Sequence, residues 1–387
     1  MKVPLLDLKP QYQSLKKEID ETLIGVAESQ MLILGPEVQK LEKNLAEYCG
    51  SKYAVGVSSG TDALLMALMA LDIKAGDEVI LPTYSFFATA GVVARLGAIP
   101  VFIDSEPVTF NIDPHLIEKA ITPKTRAIMP VHLFGQAANV EEIINLANKH
   151  NIPVIEDTAQ SIGAMTVSGK PCGSLGLMGC YSFYPTKNLG AFGDGGLVVT
   201  NYEKLYEKLV QMRNHGMNPK YYHKFIGGNF RLDALQAAIL NVKIPHLDSW
   251  HEARRKNAEL YNKYFIESGL CSETGITEFD NNNKVLIPKA IFKNTGNKNY
   301  HIYNQYSVQV EKRDEMRQFL SENEIGSEIY YPVPFHRQEC FSYLNYQDRA
   351  FPIANKLAEC SIALPIFPEL TEDQIKFVVE TFKRFLK

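Results

Sequence analysis

The chain has 387 residues, with 40 Lys and Arg against 44 Asp and Glu and a formal net charge of −4. This length predicts one large and one smaller domain, and the near-neutral charge argues against a broad basic face for nucleic acid or anionic membrane. The six cysteines form no C-x-x-C pair, and no run of about 18 apolar residues predicts a membrane span. We therefore expect a cytoplasmic protein without a metal site.

Short apolar runs alternate with helical patterns between residues 50 and 157. Apolar residues at helical spacing separate the runs, for example around Leu64 and around Ile143. Strands that alternate with helices predict parallel βαβ units with right-handed crossovers. The predicted strands are Tyr53–Val57, Glu78–Leu81, Pro100–Ile103, Ala127–Val131 and Val154–Asp157.

The rhythm changes after Asp157. Two further runs, Cys180–Tyr184 and Gly196–Thr200, flank a glycine-rich loop that is too short for a crossover helix. An antiparallel strand pair is therefore predicted there. Together these runs predict an α/β fold with a mixed, mostly parallel, seven-stranded sheet flanked by helices.

A second domain is predicted in the C-terminal part of the chain. An amphipathic helix ends at Pro245, so we divide the chain into a large domain, 1–249, which includes the N-terminal helix, and a small domain, 250–387. The small domain has a strand near Tyr306–Val310 and a closing helix capped by Thr371. It is predicted to be a smaller α/β domain.

Lys187 and Asp157 carry the chemistry. Lys187 follows a predicted strand among small residues, where a lysine can form a Schiff base with an aldehyde cofactor. Asp157 ends an apolar strand at the carboxyl edge of the sheet, where open α/β sheets place ligands. A carboxylate there can pair with a pyridinium nitrogen. Taken alone, Lys187 could be a surface lysine and Asp157 a helix cap.

Ser58–Asp62 lies between a predicted strand and a predicted helix. Free N–H groups at a helix N-terminus bind phosphate, and Thr61 adds a hydroxyl. Ser and Thr cap ordinary helices equally well, so this motif alone does not decide between the two roles.

Taken together, these elements resemble the fold-type I pyridoxal-phosphate (PLP) enzymes, and in particular the DegT/StrS-type family of nucleotide-sugar aminotransferases. The resemblance covers nearly the whole chain. The residues that carry it are Ile33–Val38, Ser59–Leu64, Glu156–Gln160, Ser182–Gly196 and Gly228–Ala238.

The resemblance implies that Lys187 forms the Schiff base with PLP and that Asp157 pairs with its ring nitrogen. It also implies that Gln160 donates a hydrogen bond to the phenolic oxygen of the cofactor. The family's dehydratase branch has histidine in place of this lysine, so Lys187 points to amino transfer.

Further cofactor contacts are implied by the same resemblance. Gly60, Thr61 and Ser182 would hold the phosphate, and Phe86 would cover one face of the ring. Asn229 matches an asparagine that reaches the cofactor phosphate of the other subunit, which implies a homodimer with shared sites. Read without the resemblance, Asn229 is a candidate helix N-cap.

Substrate contacts are expected from two segments. The stretch Ile329–His336 resembles the part of the family that lines the sugar pocket, so Tyr331 and His336 are candidates. Lys220 and His223 are candidates for the nucleotide diphosphate, although charged loop residues also serve solubility alone. Without the resemblance, His336 would be interpreted simply as a histidine in a loop.

The implied reaction moves an amino group from L-glutamate to a keto sugar, with pyridoxamine phosphate as the intermediate cofactor form. The motifs look more like members that aminate a C3 ketone, which indicates a nucleotide-linked 3-keto-(6-deoxy)hexose. The product would be an amino sugar for surface polysaccharide, lipopolysaccharide or glycoside biosynthesis. Amination at C4, an oxidised octulosonate as substrate, an amino acid bound by an arginine fork, and a regulator that binds PLP without turnover remain alternatives. The candidates for such a fork are Arg313, Arg317, Arg337 and Arg349.

Overall fold

Twelve α-helices and nine β-strands make up the chain in the computed structural model, which describes residues 1–387. The strands are β1 Tyr53–Val57, β2 Glu78–Pro82, β3 Ile99–Ile103, β4 Thr125–Ile128, β5 Ile155–Asp157, β6 Met178–Ser182, β7 Gly196–Thr200, β8 Tyr306–Gln309 and β9 Ser361–Leu364. The helices are α1 Lys9–Ser29, α2 Pro36–Tyr48, α3 Gly60–Ala70, α4 Ala88–Arg95, α5 Pro114–Ala120, α6 Val140–Lys149, α7 Glu203–Met212, α8 Ala234–Lys243, α9 Leu247–Glu267, α10 Arg313–Glu322, α11 Pro352–Cys360 and α12 Glu372–Leu386.

Seven strands form one mixed sheet in the order β3-β2-β4-β5-β6-β7-β1. Parallel pairing joins β3, β2 and β4, and parallel bridges from Ile128 to Val154 and from Val131 to Asp157 connect β4 to β5. Strand β7 is antiparallel to both β6 and β1. The predicted seven-stranded sheet, with its antiparallel pair, is confirmed.

Helix α3 is one of the helices that cover the sheet. Its sequence is apolar nearly all round, and Ala63 to Leu68 are all buried because the helix packs between the sheet and α4 and α7. A parallel sheet needs such cover, since both of its faces carry apolar side chains.

The C-terminal part has its own core. Buried side chains of α9, α10, α12 and the antiparallel pair β8–β9 form this cluster, and Val3 from the N-terminus joins it. The closing helix α12 begins with the expected capping box, in which Thr371 and Gln374 exchange hydrogen bonds. The predicted strand and closing helix are both present.

Segment 335–358 of the C-terminal part is anchored on the large core. Phe335, Phe341 and Phe351 belong to the main hydrophobic cluster of the sheet and its helices. The carboxylate of Asp104, just after β3, accepts from the N–H groups of Ile353 (3.0 Å) and Ala354 (2.8 Å) and so caps α11.

The predicted domain boundary at 249/250 falls inside α9, which continues without a break from Leu247 to Glu267. The division into 1–249 and 250–387 stays a prediction. None of the helices combines the length and the apolar character that a membrane crossing requires.

Candidate active site

A cavity of about 590 Å³ opens at the carboxyl edge of the sheet. Loops that follow β1, β2, β5 and β6 meet there, as expected for ligand sites in open α/β sheets. The lining residues are Ser59, Gly60, Thr61, Leu64, Ser85, Phe86, Ala88, Val131, Asp157, Ala159, Gln160, Ser182, Tyr184, Thr186, Lys187, Asp194, Gln305, Tyr330 and Tyr331.

One end of the cavity is a cup that suits a phosphate. It is formed by the first turn of α3 and Ser182, at the end of β6. The N–H groups of Gly60 and Thr61 have no acceptor within the protein, so they remain free for an anion. A Cβ on Gly60 would lie 2.6 Å from the Cβ of Ser182, so only glycine leaves this cup open.

The two serines that precede Gly60 are engaged elsewhere. The hydroxyls of Ser58 and Ser59 donate to the carboxylate of Asp62, at 2.6 and 3.0 Å, and Ser59 also caps α3 by accepting from the Asp62 N–H. Ser59 therefore takes the capping role, and Gly60 and Thr61 stay the predicted anion cup.

Asp157 is held in a buried position at the end of β5, where it is 4% exposed. Its Oδ2 accepts from Thr89 Oγ1 at 2.8 Å, and its Oδ1 accepts from the N–H of Ala159 at 3.1 Å. Burial raises the pKa of the Asp157 carboxyl above its ordinary value, and these two hydrogen bonds and the positive charge of Lys187 act in the opposite direction. The hydrogen bonds and Lys187 thus favour the ionised carboxylate, which can hold a cation in the cavity.

Lys187 lies in the β6–β7 loop, on the same cavity. Burial lowers the pKa of Lys187 to about 8, and the charge of Asp157 acts in the opposite direction. Such an amine is partly neutral near pH 8 and can act as a nucleophile or a base. The next residue, Asn188, fixes the loop by donating to the carbonyl of Ile302 (3.1 Å) and accepting from Asn304 (2.8 Å).

Gln160, Tyr331 and Phe86 form the opposite wall. The Gln160 Oε1 accepts from the Phe134 N–H at 2.7 Å, and its Nε2 donates to the Tyr331 hydroxyl at 3.0 Å. These contacts fix the amide orientation and leave one N–H of Nε2 for a ligand. Phe86 is 56% exposed, with its ring 6.1 Å from that of Tyr331, so a flat face is available to a ligand.

A buried hydrogen-bond network surrounds Glu156, the residue before Asp157. The carboxylate of Glu156 accepts from His132 Nε2 at 2.8 Å and from the N–H groups of Gly173 and Leu175 at 2.7 and 2.9 Å. His132 Nδ1 accepts from the Ala138 N–H, so the ring proton is on Nε2. This network fixes the backbone on either side of β5.

His336 does not reach the cavity. Its side chain is buried, with Nδ1 2.8 Å from Thr83 Oγ1, Nε2 3.0 Å from Asn355 Oδ1, and the ring stacked on Phe351. The geometry therefore favours a packing role over the expected sugar contact, because both ring nitrogens already have partners. Tyr331, by contrast, lines the cavity.

Lys220, His223 and Asn229 are exposed and lie outside the lining of their own chain's cavity. The alternative reading of Asn229 as a helix N-cap is wrong, because α8 begins at Ala234 with Asp233 in the N-cap position. Asn229 instead forms an isolated antiparallel bridge with Asn214.

Several residues in or beside the cavity had no role assigned from the sequence. Thr89, which donates to Asp157, gave no sequence signal, because its role depends on how α4 packs on the sheet. Tyr184 and Asp194 lie within motifs around Lys187, so their position was recognisable but their orientation was not. Gln305 and Tyr330 reach the site from the C-terminal part.

The fold and the site together define a fold-type I PLP-dependent enzyme. The free N–H groups at the anion cup, the glycine that keeps it open, the amine with a lowered pKa and the buried carboxylate fit the phosphate, aldehyde and ring nitrogen of PLP.

The chain belongs to the DegT/DnrJ/EryC1/StrS aminotransferase family, whose model matches residues 13–383. It is 47% identical to the "Pleiotropic regulatory protein" of Geobacillus stearothermophilus, over 100% of this chain and 99% of that protein. It is 40% identical to the UDP-N-acetyl-3-dehydro-alpha-D-glucosamine 3-aminotransferase of Acidithiobacillus ferrooxidans, over 99% and 98% of the two chains.

Among solved structures, S. venezuelae DesV in complex with a ketimine intermediate superposes with a TM-score of 0.91 and 37% identity, over 100% of this chain and 99% of that chain. The family, the fold type and the PLP cofactor expected from the sequence are confirmed, and the protein is an aminotransferase.

Proposed function

We propose that this aminotransferase moves an amino group from L-glutamate to the C3 ketone of a nucleotide-linked keto-(6-deoxy)hexose. The observation that carries the proposal is a cavity that joins Lys187, Asp157 and an anion cup but has no arginine in its lining. An enzyme specific for amino acids uses an arginine fork for the substrate carboxylate. The product would enter surface polysaccharide, lipopolysaccharide or glycoside biosynthesis.

None of the four arginines that are candidates for such a fork lines the cavity, and three of them are engaged elsewhere. Arg313 donates to the carbonyls of Ala358 and Ser361, Arg317 pairs with Glu328, and Arg337 pairs with Asp348. The amino-acid alternative is therefore less favoured than the sugar. Names of relatives support the C3 position, since the Acidithiobacillus ferrooxidans protein is a 3-aminotransferase.

The cofactor residues act as follows. Gly60, Thr61 and Ser182 bind the phosphate, Phe86 covers the ring, and Gln160 donates its remaining N–H to the phenolic oxygen. Bound PLP supplies an electron sink for the carbon that loses a proton. Asp157 keeps the ring nitrogen protonated, and Thr89 with the Ala159 N–H keeps Asp157 ionised and in place.

Lys187 both anchors the cofactor and moves the proton. With PLP bound and the amino donor in place, the neutral Nζ would take the proton from the α-carbon of the donor and hold it as an ammonium for the reprotonation step. The lowered pKa provides a useful fraction of neutral amine at mildly alkaline pH. The same steps in reverse, with the keto sugar, complete the cycle.

The active species is proposed to be a cytoplasmic homodimer. Asn229, Lys220 and His223 are exposed and lie outside their own cavity, so they are available to the site of the other subunit. Asn229 would reach the phosphate there, and the two basic residues would meet the nucleotide diphosphate. Tyr331 remains the sugar contact from the same chain.

The decisive experiment is a panel of 3-keto and 4-keto nucleotide sugars and an oxidised octulosonate, assayed with L-glutamate and Lys187→Ala as the inactive control. We expect amination of a 3-keto substrate. Turnover of only a 4-keto sugar or only the octulosonate would replace the proposed substrate by that alternative.

A regulator without turnover is the second candidate, favoured by the name of the Geobacillus stearothermophilus relative. The two functions are separated without any sugar. An aminotransferase converts its bound cofactor to the pyridoxamine form when L-glutamate is added, and the visible absorption is lost. If PLP binds and glutamate causes no such change, the regulator is the better assignment.

A further inference from the structure

Lys243, the last residue of α8, is a buried lysine outside the cavity. It is 4% exposed, its Nζ donates to the carbonyl of Gly190 at 2.6 Å, and it lies 4.9 Å from the ring centroid of Phe192. No carboxylate pairs with it. Burial lowers the pKa of Lys243 to about 8. An ammonium buried without a counter-ion costs stability, and the Gly190 carbonyl and the Phe192 ring are the contacts that offset this cost.

The acceptor of this hydrogen bond belongs to the loop that carries Lys187. The loop folds back on itself, and a Cβ on Gly190 would lie 2.3 Å from the carbonyl oxygen of Pro185. Pro185 and Gly190 therefore close a tight turn, and Lys187 lies between them in the sequence. A group that fixes the Gly190 carbonyl fixes this turn.

Helix α8 holds the same loop at a second point. The Oε1 of Gln236 accepts from the N–H of Phe192 at 2.8 Å. On the opposite side, Asn188 is bound by Ile302 and Asn304. The Lys187 turn is thus held between α8 and segment 302–304, and Lys243 provides one of the two contacts from α8.

We propose that Lys243 is a positioning residue for Lys187, holding the Gly190 carbonyl so that the Lys187 amine stays in its enclosed place on the cavity beside Asp157. The proposal rests on the role of Lys187 in the proposed function. When the turn is released, water reaches Lys187, and the burial that lowers its pKa to about 8 is lost.

The test uses cofactor-free protein, so it does not depend on any substrate. Labelling of Lys187 by an amine-reactive reagent is followed by mass spectrometry across a range of pH, in wild type, Lys243→Met and Lys243→Arg. Methionine keeps an unbranched side chain of similar length but has no donor. Lys256→Met, at an exposed lysine of α9, is the matched control.

We expect the labelling midpoint of Lys187 to move up by one pH unit or more in Lys243→Met. Such a shift lowers the fraction of Lys187 that is a neutral amine at pH 7 about tenfold. Lys243→Arg, which keeps a charged donor, and Lys256→Met should stay near wild type. The melting temperature of Lys243→Met should stay close to that of wild type, because removal of an unpaired buried charge offsets the lost hydrogen bond to Gly190.

A wild-type midpoint in Lys243→Met overturns the proposal. An unfolded Lys243→Met protein also overturns it, since Lys243 would then serve the fold as a whole. If the midpoint shifts but no keto sugar is aminated, the positioning role stands and the proposed substrate fails.

Discussion

Replacing Thr89 by valine removes one hydrogen bond to Asp157 and keeps the shape of the side chain. Thr89 Oγ1 donates to Asp157 Oδ2 at 2.8 Å in a buried position. A hydrogen bond to a charged group contributes about 1.5–3 kcal/mol, which corresponds to about 1–2 pKa units. Because this bond stabilises the ionised form, its loss raises the pKa of Asp157 further above its ordinary value.

The sign of the effect on activity follows from the role of the carboxylate. Ionised Asp157 is the active form, so activity falls as the pH drops through its pKa. The acid limb of the single-turnover rate with L-glutamate should therefore move about 1–2 units to higher pH in Thr89→Val.

Thr89→Ser is the matched control because it keeps the hydroxyl, and its acid limb should stay close to that of wild type. Asp157→Asn should slow the same step by several powers of ten at every pH, because an amide does not keep the ring nitrogen of the cofactor protonated. If Thr89→Val and wild type gave superimposable profiles while Asp157→Asn lost the rate, the hydrogen bond would have no part in keeping Asp157 ionised.

Three further changes test the other parts of the site. Lys187→Ala should abolish steady turnover and still bind pyridoxamine phosphate, as measured by fluorescence titration; sustained turnover without an added amine would contradict this role. Gly60→Ala should weaken PLP binding by roughly 1–3 kcal/mol, because the added methyl group would clash with Ser182 in the cup. Binding of pyridoxal, which lacks the phosphate, is the control. An equal loss of affinity for both ligands would argue against a phosphate cup. Asn229→Ala should weaken cofactor retention by roughly 1–3 kcal/mol in a dimer checked by sedimentation, whereas a fully active monomer would rule out a shared site.

Local patterns were sufficient to locate most of the sheet. The apolar runs around Val55, Ile80 and Val198 became β1, β2 and β7 because they are buried on both faces. The short glycine-rich loop before Gly196 correctly excluded a crossover helix, because chain length alone decides that question. The motifs around Lys187 and Asp157 likewise placed both residues on one cavity.

Contacts between distant segments were not predictable in the same way. Thr89 meets Asp157 only because α4 packs on the sheet, and His336 turns into a buried contact with Thr83 instead of the cavity. The α8 cap is Asp233, one of several polar residues before the helix that sequence alone does not rank. Each of these depends on tertiary geometry, which a local pattern does not contain.

The anchoring of segment 335–358 on the large core affects how ligands are admitted. A swing of the C-terminal part as a rigid body would have to withdraw Phe335, Phe341 and Phe351 from that core and break both hydrogen bonds of Asp104. The wall that contains Tyr331 is therefore in place before any ligand arrives. A pre-formed recess of this kind demands little ordering on binding, so little of the binding free energy is lost to arranging this wall.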